Sequence, residues 1–197
     1  MKNDTDYLKQ LAEIHRMMEK TSRFISLSRF SGMVIGCYAI IAAYIASNIL
    51  EKQEGSDGRD LIVLGSVLLV LSIATAFFFT LRRSKKLNLK LWGPGSKQLL
   101  AAMLVPLAAG GFLTGILILK EIHAFIIPAM LIFYGITLTN ASRFSHRELF
   151  IIGILFIVLG LAAVWFPEAG LVIWATGFGL VHLIYGSWMY VVNEKKG

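Results

Sequence analysis

Charge is scarce in this chain. Only 16% of its 197 residues are Asp, Glu, Lys or Arg, against roughly 25% in an ordinary soluble domain. Long polar segments are equally scarce, which leaves almost no room for a water-soluble domain. There is a single cysteine, Cys37, so no disulfide can close within the chain, and it is read as a small helix- or lipid-facing residue. Catalytic motifs are missing as well. No H-E-x-x-H occurs, no acidic pair lies inside an apolar stretch, and the serines and histidines show no nucleophile order. Gly93-Pro94-Gly95-Ser96-Lys97 lacks the order of a phosphate loop, and no strand pattern precedes it. These absences point away from an enzyme and imply no cofactor. The polar first 27 residues contain no signal-peptide core, so insertion is expected to be directed by the first apolar stretch.

What is present is apolar. The mean hydropathy is +0.70. Six stretches of about twenty residues match the roughly 30 Å hydrocarbon core of a bilayer when helical. They cover residues 30–50, 61–81, 99–119, 122–139, 149–166 and 170–192. Backbone groups cannot be left unpaired in lipid, so each is expected to be an α-helix. The continuous runs exclude the alternation of a membrane β-barrel. The fold class expected is an all-α membrane protein: six transmembrane helices in antiparallel hairpins, plus an N-terminal amphipathic helix. Its divisions are a cytoplasmic helix at 1–27, the bundle at 28–193 and a cytoplasmic tail at 194–197.

Orientation follows from Lys and Arg. With the N-terminus inside, sixteen of the nineteen basic residues fall in inner segments, and only Lys52, Arg59 and Lys120 in outer ones. Both termini are then cytoplasmic. The net charge of +7 is thus a topology signal, and no nucleic-acid partner is implied. The expected location is the inner membrane of a bacterium. Short outer turns at Leu119-Lys120-Glu121 and Pro167-Glu168 would hold neighbouring helices antiparallel. Ser145-His146-Arg147-Glu148 has the spacing of a capping box for the fifth helix.

The last two helices carry glycine at seven-residue intervals: Gly153 and Gly160, then Gly170 and Gly177, then Gly179 and Gly186. Each pair lies on one helix face, where small residues let helices approach closely in lipid. Helices five and six are expected to pack on each other through these faces. The run Gly153-Ile-Leu-Phe-Ile-Val-Leu-Gly160-Leu-Ala-Ala-Val-Trp-Phe-Pro167, with the last helix ending near Tyr185-Gly186, resembles the HdeD-type bacterial membrane proteins. Gly111, Gly115, Pro128 and Tyr134-Gly135 echo the pattern, while the first hairpin departs from it with a longer acidic loop. The resemblance implies six helices in glycine-rich hairpins with proline at a tight outer turn. It also implies a structural or stress-related role, since some members are linked to acid resistance. It implies no catalytic residues.

Three segments are candidates for function. Residues 5–24 place Leu11, Ile14, Met18 and Thr21 at helical spacing, with Ile25 continuing it just beyond. This reads as a helix lying on the inner leaflet, or as one that docks a partner or a second copy. Residues 82–97 form the most basic loop and are expected to meet anionic lipid headgroups. On the outer face Glu121, His123 and Glu168 read as a solvated acidic surface, with a metal site the lesser alternative.

His182 is the one titratable residue deep in a span. Exposed to lipid it would cost several kcal/mol, so it must face the bundle and find a partner. Candidate partners are Thr114, Tyr38, Tyr134 and a backbone carbonyl freed near Pro128. It is expected on a stripe with Gly179, Gly186 and roughly residues 174–176. One reading is a neutral histidine hydrogen-bonded between helices; the other is a ligand or proton site that acid would charge. Three functional classes follow: a structural or stress-related membrane protein, a small channel or transporter with a polar path near His182, and an accessory subunit acting through its N-terminal helix.

Overall fold

The computed structural model describes residues 29–52, 58–86, 94–145 and 147–194. Its helices are α1 (Arg29–Lys52), α2 (Arg59–Lys86), α3 (Pro94–Leu119), α4 (Ile126–Ala141), α5 (Glu148–Trp165), α6 (Gly170–Trp174) and α7 (His182–Glu194). A π-helical segment, Ala175–Val181, joins α6 to α7, and the three make one continuous sixth rod. No strand occurs among the described residues. Six helices are long and apolar enough to cross a membrane. The expected N-terminal amphipathic helix at 1–27 lies outside the described residues, as does the tail beyond Glu194.

The helices outrun the apolar stretches that announce them. α2 continues through Arg82, Arg83 and Lys85 to Lys86, and α3 begins at Pro94. The loop expected over 82–97 is therefore helical at both edges. Hydropathy drops where the hydrocarbon would end, but the hydrogen-bond ladder runs on until something interrupts it. Long basic side chains can follow the helix out and reach headgroups. Proline as the first residue of α3 suits a position whose N–H has no helical partner.

Two turns are well specified. After α3 the Ile122 N–H donates to the Leu117 carbonyl at 2.9 Å, and the Glu121 N–H to Ile118 at 3.0 Å. This paired closure is a Schellman motif, and it puts Glu121 at φ 58°, a left-handed position normally given to glycine. After α5 the residue preceding Pro167 cannot stay helical. Phe166 accordingly turns out to φ −125°, ψ 68°, and a short 3₁₀ turn over Pro167–Ala169 leads into α6. The capping box expected at Ser145 is displaced: α5 starts at Glu148, with Arg147 in the cap position and no side-chain capping bond there.

The packing departs from the sequence expectation at helices five and six. Gly153 and Gly160 of α5 do not face the sixth rod. They face α4, where Gly153 meets Gly135 and Thr139, and Gly160 meets Ile132 and Pro128. Gly179 abuts Gly36 and Ile40 of α1, and Gly186 sits beside Gly32 of α1. Gly177 turns the other way, onto Leu131, Phe156 and Leu159, while Gly170 meets Ile127. The sixth rod is thus gripped between α1 on one side and the α4/α5 pair on the other. Seven-residue spacing selects a face but carries no information about which partner that face meets. α1 contributes an alanine stripe, with Ala39, Ala42, Ala43 and Ala46 buried. α3 leans on α4, with Gly110 against Phe133, and Leu99 and Pro106 of α3 are buried as well. α2 touches α1, and no residue in its apolar window is buried. Its apolar surface is suited to lipid.

Candidate functional site

The core lies where α4, α5 and the sixth rod converge. Leu131, Tyr134 and Leu138 share one face of α4, at spacings of three and four. Leu149, Ile152 and Phe156 share a face of α5. Phe178, His182 and Tyr185 share a face of the sixth rod. Leu131, Leu138, Leu149 and Phe156 are buried, with Tyr134, Ile152, Phe178 and Tyr185 packed against them. Phe156 is fully buried.

Into this apolar heart the fold places one polar pair. The Tyr134 hydroxyl lies 2.9 Å from His182 Nε2, joining residues 48 positions apart. His182 Nδ1 lies 3.3 Å from the Gly177 carbonyl. A carbonyl can only accept, so Nδ1 carries the proton. Nε2 then accepts from the tyrosine O–H. In the neutral imidazole both nitrogens are satisfied. Rings close around the pair: Phe178 stacks on His182 with centroids 6.1 Å apart, and Phe156 meets it edge-on at 5.6 Å. Tyr134 packs on Phe156 at 4.8 Å and Phe178 at 4.9 Å, and Trp174 meets Phe178 at 5.2 Å.

The π segment prepares this geometry. Its wider turn displaces carbonyls from their usual i+4 partners, so the Gly177 carbonyl is within reach of a side chain five residues on. Gly177 and Gly179 supply the room, and the Thr176 hydroxyl bonds back to the Val172 carbonyl at 2.9 Å. The stripe expected for His182 holds at Gly186, one turn on in the same α-helix, but not at Gly179, which lies inside the π segment. Its ring points to Tyr134 and Phe156, its backbone carbonyl and Gly186 both lie beside Gly32 of α1, and Gly179 meets Gly36 and Ile40. Each π turn takes up extra residues, so a 3.6-residue stripe cannot be extrapolated through it.

Of the candidate partners, Tyr134 reaches His182 and Thr114 and Tyr38 do not. Thr114 lies on α3, which leans on α4 from elsewhere. The carbonyl that bonds the ring is Gly177, not one near Pro128. Phe156 and Phe178 went unremarked in the sequence, although Phe178, four residues before His182, was a readable signal of an aromatic neighbour. On the surface, Glu121, His123 and Glu168 are exposed. Among the described residues, no group of three or more His, Cys, Asp or Glu is placed to hold a metal ion.

A cavity of about 50 Å³ lies against the pair, with Tyr134 and His182 in its lining. Gly32 of α1, Leu149 of α5 and Met189 of α7 also line it. Gly32 and Leu149 are near the starts of their helices, and Met189 is near the end of its own. At roughly 10–15 Å³ per water, it has room for a few waters but not for a large ligand. Chemically the arrangement can accept or release one proton at His182. Comparison with family models, curated proteins and solved structures finds no match to this chain.

Proposed function

We propose that the chain is a small multi-pass protein of the bacterial inner membrane, structural or stress-related in role, whose bundle is held by an acid-sensitive Tyr134–His182 pair. The observation that carries this is the polar pair itself, with both imidazole nitrogens bonded inside an aromatic cluster. Adding a proton turns Nε2 from acceptor to donor. It would then face a hydroxyl that must reverse, and a charge would sit among Phe156, Phe178 and Tyr134. Histidine in the unfolded chain meets no such penalty. The bundle therefore loses stability as pH falls through the histidine range and keeps it when the ring is neutral.

In this reading the six helices form antiparallel hairpins, supported by the order of contacts between α4 and α5: Gly135 with Gly153 and Ile157, Pro128 and Ile132 with Gly160. Both termini are cytoplasmic, as the bias in basic residues favours. The basic ends of α2 and α3 face anionic headgroups. Residues 153–167 support an HdeD-like role through their resemblance to that family, and no catalytic activity is assigned. A channel or transporter draws less support, because Phe156 and Phe178 pack around the pair and the cavity is water-sized. The accessory-subunit reading rests on residues 5–24, outside the described part.

The test is unfolding in detergent between about pH 7 and pH 4, which spans histidine titration, for the parent and His182→Gln. The parent is expected to lose stability with acid, and the glutamine variant to start lower and change less. Identical acid profiles would remove His182 as the responsive group.

A further inference from the structure

The sixth rod changes partners along its length. Its first half meets α4 and α5: Gly170 faces Ile127, and Gly177 faces Leu131, Phe156 and Leu159. Its second half meets α1, where Gly179 lies against Gly36 and Ile40, and Gly186 beside Gly32. Glycine against glycine lets α7 and α1 approach backbone to backbone. Toward α4 and α5 the same helix presents the larger His182, Tyr185 and Met189, so its backbone barely approaches either of them. The seam left between holds a void of about 50 Å³, lined almost wholly by apolar atoms. Atoms that border such a void lack partners on that side and forfeit dispersion attraction. Among the described residues, α1 and α2 likewise barely approach α3, α4 or α5. The chain passes between the two groups of helices twice, at residues 87–93 and at the π segment. We propose that the molecule is built as two rigid units, α1–α2–α7 and α3–α4–α5, hinged at the π segment Ala175–Val181 and latched across the seam by the Tyr134–His182 bond.

The hinge has the means to bend. The backbone ladder changes register there, with the His182 N–H turning back to the Gly179 carbonyl and the Gly177 carbonyl taken by the His182 ring. Helices kink at such interruptions, and hinge motion is absorbed at a few backbone positions. α6, on one side of the π segment, touches α4, α5 and α1, so that end stays closed while the α7 end swings. The latch is the Tyr134 O–H donating to His182 Nε2 at 2.9 Å. Once it is broken, what remains across the seam is apolar contact around a void. Lipid tails are as apolar as Leu138, Leu149 and Ile152, so no hydrophobic force pulls the seam shut again. Opening therefore exposes the seam to acyl chains while each unit keeps its own packing.

The hinge uses the bond of the pair and not its response to acid, so identical acid profiles for the parent and His182→Gln would remove the proposed acid response and leave the hinge standing. The test is the distance between pairs of spin labels in the whole chain in detergent. One pair, native Cys37 with Ser187→Cys, lies within the first unit on α1 and α7. In a Cys37→Ser background, Ile151→Cys with Ser187→Cys spans the seam, and Leu161→Cys with Val172→Cys spans the pivot end. All these positions are exposed. Adding Tyr134→Phe is expected to lengthen the distance across the seam and to leave the other two at their parent values. If no distance changes, the bond is not a latch. If the α1–α7 distance changes too, or all three broaden together, the units are not rigid and the proposal falls. The parent alone gives a second measurement that does not depend on the folding of Tyr134→Phe. With increasing SDS, the distance across the seam should lengthen at a lower detergent fraction than the other two, and simultaneous loss of all three would refute the hinge.

Discussion

Replacing Gly135 with alanine puts the α4–α5 contact to its most direct test. A Cβ built at Gly135 would lie 2.6 Å from the Gly153 carbonyl oxygen, 2.7 Å from Ile157 Cγ1 and 2.9 Å from the Ile157 nitrogen. Two of those three atoms are backbone, so no side-chain rotation relieves the clash. Ordinary contact begins near 3.4 Å, so the helices must part by about 0.8 Å, a gap at which packed neighbours forfeit a quarter to a half of their dispersion attraction. Overpacking of this kind costs about 1–3 kcal/mol. Alanine returns about 0.5–1 kcal/mol of helix preference over glycine, which leaves a net loss of up to about 2.5 kcal/mol, centred on about 1 kcal/mol. Gly153→Ala opens the same gap from the other side, its Cβ falling 2.7 Å from the Gly135 oxygen. The double variant should therefore lose less than the sum of the two singles. Gly111 and Gly115 provide the control, because a Cβ there meets nothing within 4 Å. The assay is unfolding in mixed micelles with increasing SDS, followed by circular dichroism. Gly135→Ala should unfold at a lower SDS fraction than the parent, and Gly111→Ala should not. If the two variants unfold together, α4 and α5 do not touch at Gly135 and the reasoning fails.

Tyr134→Phe keeps the ring packing but removes the bond to Nε2; a loss of about 0.6–2 kcal/mol is expected from the range for interhelical hydrogen bonds in membranes, and an unchanged SDS midpoint would mean the pair is not bonded. Glu121→Gly relieves a left-handed residue in the turn after α3 and should stabilise by about 1 kcal/mol; a lower melting temperature in detergent would contradict that geometry. Phe156→Ala empties the centre of the aromatic cluster and should cost about 3 kcal/mol or more, so a loss below about 1 kcal/mol in the same assay would show that the cluster is not the core. For topology, Lys85→Cys and Lys120→Cys in a Cys37→Ser background are treated with an impermeant thiol reagent on intact cells. Only Lys120→Cys should react, and labelling of Lys85→Cys alone would invert the proposed orientation.

Some of this protein was legible before any coordinate. The six helices follow from length and hydropathy, because lipid offers backbone groups no partner outside a helix. Their ends were less legible: α2 runs on at least to Lys86 past its last apolar residue, since backbone hydrogen bonding does not stop where polarity changes. The need of His182 for a partner was legible from the cost of a bare polar group in lipid. Tyr134 stood among the candidates, but so did Thr114 and Tyr38, and residue type alone could not separate them.

The chain's order of apolar and basic residues determined the helical class, the number of candidate spans and the burial of one histidine, because each of these depends on the solvent each segment must meet. Tertiary structure decided the rest. It turned the glycines of α5 onto α4 and those of the sixth rod onto α1, because a glycine face is complementary to any close backbone and only the packed arrangement selects which. It also placed a π turn at Ala175–Val181, which brings the Gly177 carbonyl within reach of the His182 ring while the ring bonds Tyr134. No periodicity in the sequence contains that turn, because a stripe of 3.6 residues per turn assumes the α-helical ladder that the π segment leaves.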